Sequence, residues 1–211
     1  PLCRSSITRN KLFAPSFLES KDTVVIAHYK DVAKSAKLAA LVENLRQLQD
    51  SSSGEQVIVF SQFSSFLDIL ERDLGEAFGK DKAEIYKFDG RLSLKERSTV
   101  LKEFQEKDFS KQKILLLSLK AGGVGLNLTC ASYAYMMDPW WSPSMEDQAI
   151  DRIHRIGQTN NVKVFRFIIE GSIEEKMLRI QERKRTIGEA MDADQEERRK
   201  RRIEEIKTLF E

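Results

Sequence analysis

The sequence predicts an α/β fold, a parallel β-sheet with helices on both faces. Two patterns carry that expectation. Short β-rich runs such as Val57-Ile58-Val59-Phe60 and Ile114-Leu115-Leu116-Leu117 are apolar without alternation, the mark of a strand covered on both sides. Segments with apolar residues three and four apart separate these runs, so strand and helix alternate as a parallel sheet requires. Ligands of such sheets gather at the carboxyl ends of the strands, and the polar motifs of this chain follow strands directly.

Leu12 to Lys34 contains Pro15 and no clear period, and reads as a lead-in linker. Lys37 to Leu48 is the first helix, with Leu38, Leu41, Val42, Leu45 and Leu48 on one stripe. Val57 to Phe60 is the first core strand, bounded by Gly54 and Ser61. Ser64 to Leu74 is helical through Phe66, Leu67, Leu70 and Leu74. Ile85 to Phe88 is a strand stopped by Asp89-Gly90. Ser93-Leu94-Lys95-Glu96 is a capping box that opens a helix towards Phe104. Ile114 to Leu117, Tyr133 to Met137 and Val162 to Ile169 supply three more strands. Ser172-Ile173-Glu174-Glu175 reads as a second capping box, for a helix reaching Ala190.

With 211 residues the chain holds one large domain, or one domain with extensions. It is 41% hydrophobic and 32% charged, with a formal net charge of only +2. A nucleic-acid site must therefore be a local patch, because bulk charge provides no general attraction. Cys3 and Cys130 form no disulfide framework and fit a reducing compartment. No run has the length of a membrane span, and no signal peptide is evident. The chain begins at Pro1, which reads as a piece of something longer.

Asp147 to Gln158 is the most informative stretch. It reads as one helix, with Ser142 as cap, Pro143 in the first turn and Gly157 at the end. Gln148, Arg152 and Arg155 then share a face, while Ala149, Ile153 and Ile156 share a second face that can bury. Guanidiniums are always charged and donate through a rigid fork suited to phosphate oxygens. Two of them on one fixed face match the charge of phosphoryl transfer. A solvated basic face paired with Asp147 and Asp151 is the plainer reading of such a helix. His154, between the two arginines, reads as structural.

The glycines Gly122, Gly123 and Gly125 in the run Ser118 to Asn127 allow backbone N–H groups close to a phosphate. No Gly-Lys-Ser/Thr occurs, so this is not a Walker A loop, and a tight turn explains it equally. Trp140-Trp141 lies in a Pro-bracketed turn, where one ring packs and the other is free to stack on a base or sugar. Phe60-Ser61-Gln62-Phe63 and Phe88-Asp89-Gly90-Arg91 end two strands with small polar groups suited to a DNA backbone. The run Arg198 to Arg202 sits among Glu196, Glu197, Glu204 and Glu205. It reads as internally paired helix, with a DNA or nuclear-import patch as the alternative.

Taken in order, these blocks resemble the second RecA-like lobe of the Swi/Snf family of superfamily-two ATPases. The match runs through Val57 to Phe63, Phe88-Asp89-Gly90, Leu116 to Asn127, Asp138-Pro139-Trp140-Trp141 and Gln148 to Gln158. The resemblance implies a RecA-like lobe over 35–184. Beyond it, 185–211 reads as a helical extension, in which Gln195 to Glu211 is a charged helix carrying Ile203, Ile206, Leu209 and Phe210. The resemblance implies that Arg152 and Arg155 act as arginine fingers, with Gln148, Gly123, Gly125 and Asp151 beside the nucleotide. It also implies DNA contacts from Ser61, Gln62, Gly90, Arg91, Ser118, Lys120, Gly122 and Trp140. ATP and Mg would be shared with a first RecA-like lobe that holds the Walker A lysine. Ser142 departs from the Asn that many members carry in this turn.

Pro1-Leu2-Cys3-Arg4 resembles the end of a RING domain, so residues 1–11 are expected to be its tail and Cys3 one of its zinc ligands, with a lone linker cysteine as the alternative. With the Glu205-Ile206-Lys207-Thr208-Leu209-Phe210 ending, this narrows the resemblance to post-replication-repair ubiquitin ligases that are also DNA translocases. A ubiquitin-conjugating enzyme, a ubiquitination target, duplex or forked DNA and a nuclear location follow as expectations. A non-catalytic scaffold placing a ubiquitin ligase on DNA is the alternative.

Overall fold

The computed structural model describes residues 35–51, 54–118 and 125–188, the strand at 23–27 and Lys207. Its elements, in chain order, are β1 (Thr23–Ala27), α1 (Ala36–Ser51), β2 (Gln56–Ser61), α2 (Ser64–Lys82), β3 (Ala83–Phe88) and α3 (Leu94–Gln105). They continue with β4 (Gln112–Ser118), β5 (Tyr133–Met136), α4 (Pro143–Ile150), β6 (Lys163–Ile169) and α5 (Ile173–Gly188). All the strand pairs are parallel, in the order β1-β6-β5-β2-β4-β3. The expected doubly covered sheet is therefore present.

The unalternating strands do what two-sided burial demands. Val57 and Val59 of β2, with Ile114 and Leu116 of β4, face Leu41 and Leu45 of α1 and Leu67, Leu70 and Leu74 of α2. Ile58, Phe60, Leu115 and Leu117 point the other way, into a second core with Phe104 of α3 and Ala149, Ile150 and Ile153 beside α4. One strand thus feeds two cores, because successive side chains alternate across the sheet. Tyr135 stacks on Phe165 with centroids 4.9 Å apart, tying β5 to β6.

Helix ends follow the chemistry of orphan backbone groups. At α3 the capping box forms as expected: Glu96 N–H donates to Ser93 Oγ (3.4 Å) and Ser93 N–H to Glu96 Oε2 (2.8 Å). At α5 the arrangement differs. Ser172 Oγ accepts from Glu174 N–H at 3.1 Å, and Glu175, the acidic residue of the expected box, gives its N–H to the Ser172 carbonyl (3.3 Å). Glu174 itself accepts from Ile169 N–H (3.0 Å) and Lys37 Nζ (2.6 Å).

Three expectations need correction. The linker at 12–34 contains β1, which pairs in parallel with β6 at the sheet edge. The stretch Asp147 to Gln158 is not one helix: α4 stops at Ile150 and the chain continues in turns. Ser142 precedes α4, but its side chain caps no backbone N–H and hydrogen-bonds Ser144 Oγ at 2.8 Å. The expected helix over 195–211 and the RING tail at 1–11 lie outside the described residues, apart from Lys207.

Leu116 is fully buried, whereas Leu94 is exposed. Leu116→Ala should lower stability by about 3 kcal/mol through lost transfer energy and a residual cavity. Leu94→Ala should change it by less than about 0.5 kcal/mol. Denaturant midpoints at constant slope check both.

Candidate functional site

β2, β4 and β3 are neighbours, and their register sets Ser61 beside Ser118 and Leu117 beside Phe88. Ser61, Ser118 and the Asp89-Gly90-Arg91 turn therefore form a row along the carboxyl edge of the sheet. The fold brings together five of the expected DNA-contact residues: Ser61, Gln62, Gly90, Arg91 and Ser118. Lys120, Gly122, Gly123 and Cys3 lie outside the described residues.

Ser61, Gln62, Asp89 and Arg91 of this row are already engaged. Ser61 is buried; its hydroxyl donates to Asp138 Oδ2 (2.5 Å) and accepts from Phe63 N–H (3.1 Å). Gln62 N–H also donates to Asp138 Oδ2, at 3.1 Å. Asp138 thus shapes the turn after β2. Burial pushes its carboxyl above the ordinary aspartate range, while the Ser61 and Gln62 donors pull it down. Next to it, buried Lys37 donates to Met137 O and Glu174 Oε1, both at 2.6 Å. This joins α1 to the ends of β5 and β6.

Arg91 is equally committed. Its guanidinium donates to Asp68 (2.6 and 3.0 Å) and to Asp89 (2.5 and 2.8 Å). The Arg91 and Lys87 hydrogen bonds hold the Asp68 carboxyl well below the usual range. A phosphate reaching Arg91 must therefore share its donors with two carboxylates.

The tryptophans divide their roles in the opposite sense to the expected Trp140 contact. Trp140 is 7% exposed and packed inside; Trp141 is 37% exposed, with Lys184 Nζ 4.7 Å from its ring centroid. The ring that the expected contact needs to be open is thus the buried one, and Trp141 carries the more exposed ring. What fixes this turn is Glu146, which has no solvent exposure. It accepts from Trp140 N–H (2.8 Å), Gln181 Nε2 (2.7 Å) and Arg166 Nε (2.8 Å). Gln181 also donates to the Trp140 carbonyl. Sequence reasoning missed Glu146, Arg166, Lys37 and Glu174. Their partners lie up to 137 residues away, and the one local signal was an acidic residue in the first turn of α4.

Gln148 is exposed on α4, while Asp151, Arg152 and Arg155 occupy the turns beyond it. Arg152 N–H and Ile153 N–H bond to Ala149 O and Ile150 O, three residues back. The helix therefore tightens and ends. Leu128 N–H takes the Arg152 carbonyl at 3.0 Å, and Gln158 Nε2 donates to Ala131 O at 2.9 Å. Leu128 and Ala131 lead into β5, so the arginine turn docks by the amino end of that strand, away from the carboxyl-edge row. Gly125 lies three residues before Leu128, with φ of +62°, a backbone region that favours glycine. Ile153 is buried as expected; Ile156 is not, and projects fully into solvent. His154 is exposed. Neither Arg152 nor Arg155 has a hydrogen bond or ion pair from its side chain among the described residues. The plainer reading, pairing with Asp147 and Asp151, is not what the structure adopts.

The model of the helicase conserved C-terminal domain matches residues 36–157, over half the chain. The chain belongs to this helicase C-terminal family. It is 68% identical to a DNA repair protein RAD5 from Candida glabrata, over its whole length and 18% of that relative. The chain thus spans less than a fifth of that curated relative. Among solved structures it resembles the C-terminal part of the Fun30 ATPase domain (35% identity, TM-score 0.61, 70% of this chain and 46% of that one). It also resembles the Sulfolobus solfataricus SWI2/SNF2 ATPase core domain (32% identity, TM-score 0.59, 77% and 32%). The fold is that of a RecA-like helicase C-terminal lobe of the Swi2/Snf2 type.

Glu146→Ala would strip the buried Arg166 of this carboxylate and leave Trp140 N–H unpaired. The expected cost is about 3 kcal/mol or more, as for other broken buried pairs. Glu146→Gln should cost less, because an amide oxygen still accepts. The measurement is again the denaturant midpoint.

Proposed function

We propose that this lobe is half of an ATP-dependent translocase on double-stranded DNA, acting in DNA repair. The observation that carries this reading is the pair Arg152 and Arg155, two guanidiniums without side-chain partners among the described residues, on a turn pinned by hydrogen bonds. Fixed, unneutralised cations are the right chemistry for charge building on a transferring γ-phosphoryl group. The helicase family match and the repair-protein relative support it. ATP is the substrate, held with Mg on a first RecA-like lobe that supplies the Walker A lysine and the acid for the metal. Arg152 and Arg155 reach it from this lobe, with Gln148, Asp151 and Gly125 beside them.

The carboxyl-edge row is the proposed DNA surface. Ser61 and Asp138 shape it, and the Gln62 side chain, Gly90, Ser118 and Trp141 are the groups nearest to a backbone. Arg91 contributes only by sharing its donors. The proposal extends, through Cys3, to an upstream RING domain that binds zinc, a ubiquitin-conjugating enzyme and a ubiquitination target, and to work in the nucleus. Among the described residues no helix is long and apolar enough to cross a membrane.

In the full-length protein, Arg155→Ala should lower DNA-stimulated ATP turnover on the order of 10³-fold while nucleotide and DNA affinity change little. Arg155→Lys should be nearly as poor, since a point charge does not reproduce the planar fork. Arg152→Ala should resemble Arg155→Ala, and the double variant should cost little more. Near-normal turnover in Arg155→Ala would remove the catalytic reading and leave a scaffold. Steady-state ATPase and nucleotide binding on one preparation decide it.

A further inference from the structure

Ile156 stands between Arg155 and Gly157 and is 101% exposed. No part of its side chain is covered, although the other aliphatic residues of the block are at most 6% exposed: Ala149, Ile150 and Ile153. The exposure is not that of a loose loop. Arg152 O is held by Leu128 N–H, Gln158 N–H donates to Arg155 O at 2.9 Å, and Gln158 Nε2 reaches both Ala131 O and Ile153 O. Gly157, with φ of +104°, adopts a backbone that L side chains rarely take. The turn holds a β-branched apolar side chain outward beside the Arg155 guanidinium, which has no side-chain partner among the described residues.

We infer that Ile156 is an apolar anchor for the first RecA-like lobe, entering a hydrophobic recess at the rim of that lobe's phosphate site when the cleft closes. This rests on the proposed function. The two arginines, without side-chain partners among the described residues, favour that occupant. Whatever surface meets Ile156 must also bring acceptor charge to Arg155 and Arg152, and a lobe holding a polyphosphate does so. A purely apolar partner would strand two guanidiniums, and bare DNA would offer phosphates without a recess. Ile156 thereby acts as a positioning residue: its burial on closure fixes how far the turn advances and so where Arg155 sits.

The test uses the full-length ATPase with Ile156→Ser and Ile156→Leu, and Arg155→Ala as reference. Since Ile156 is uncovered in this lobe, Ile156→Ser should leave the melting temperature and DNA affinity unchanged. Its DNA-stimulated kcat should fall about tenfold or more, the loss expected for an apolar side chain denied burial. Ile156→Leu should recover most of that activity. Full activity in Ile156→Ser, with Arg155→Ala inactive, would overturn the anchor while sparing the proposed function. Full activity in both would overturn the two together. A lowered DNA affinity or melting temperature in Ile156→Ser would also overturn the anchor, moving the residue to a DNA contact or to the lobe's own packing.

Discussion

A carboxylate in the interior imposes a condition that ordinary packing does not. Removing Glu146 from water costs several kcal/mol unless donors replace every lost hydrogen bond. Three donors do so, from the Trp140 backbone, the Gln181 amide and the Arg166 guanidinium. They belong to the tryptophan turn, α5 and β6, while Glu146 itself starts α4. All four must be in place together, because a half-satisfied charge is worse than an apolar contact. The position of α4, and of the arginine turn that it feeds, is therefore coupled to the docking of α5. Lys37 and Glu174 repeat the device at lower stakes, binding α1 to the ends of β5 and β6.

Between these polar clamps lies a sheet that has little freedom to flex. Its central strands are buried on both faces, and close-packed interiors transmit displacement instead of absorbing it. The carboxyl-edge row and the arginine turn sit at different ends of that sheet. On the proposed reading, nucleotide is felt at one end and DNA at the other. A change in cleft closure would then move the DNA row as part of a rigid lobe, with no need for internal rearrangement. Trp141 and the turn after β2 belong to the same body, since Asp138 bonds Ser61 and Gln62 on one side and precedes Pro139-Trp140 on the other.

Much of this was legible in the sequence, for physical reasons. Two-sided burial writes itself as unalternating apolar runs, so β2 and β4 could be read within a residue or two. The Ser93-Glu96 box could be read because all its partners lie within one turn. β1 was missed because a search for period finds none in Thr23-Val24-Val25-Ile26; the run of β-branched residues was the available signal. The Arg91 clamp was invisible because Asp68 lies 23 residues away on α2. The burial of Trp140 was hidden for the same reason, since Gln181 reaches that turn from α5 and Arg166 holds Glu146 from β6.

The arginine block is where sequence reasoning failed most instructively. Spacing of i, i+4 and i+7 is what a regular helix would give, but it does not establish that the helix continues. A continuing helix needs the Arg152 carbonyl to accept from Ile156 N–H. Leu128 N–H holds that carbonyl instead. The ladder has already given way by then: α4 ends at Ile150, and Arg152 N–H and Ile153 N–H turn to Ala149 O and Ile150 O, so the tertiary hydrogen bond docks the turn that follows the helix. The consequences spread along the block. Arg152 and Arg155 no longer share a helical face, so what places them is the docking of their turn against Leu128 and Ala131. Ile156, which would have followed Ala149 and Ile153 into the core, swings outward instead. The deviation from regular structure is what sets an exposed apolar side chain beside the arginines, where sequence periodicity placed Ile156 in the buried stripe.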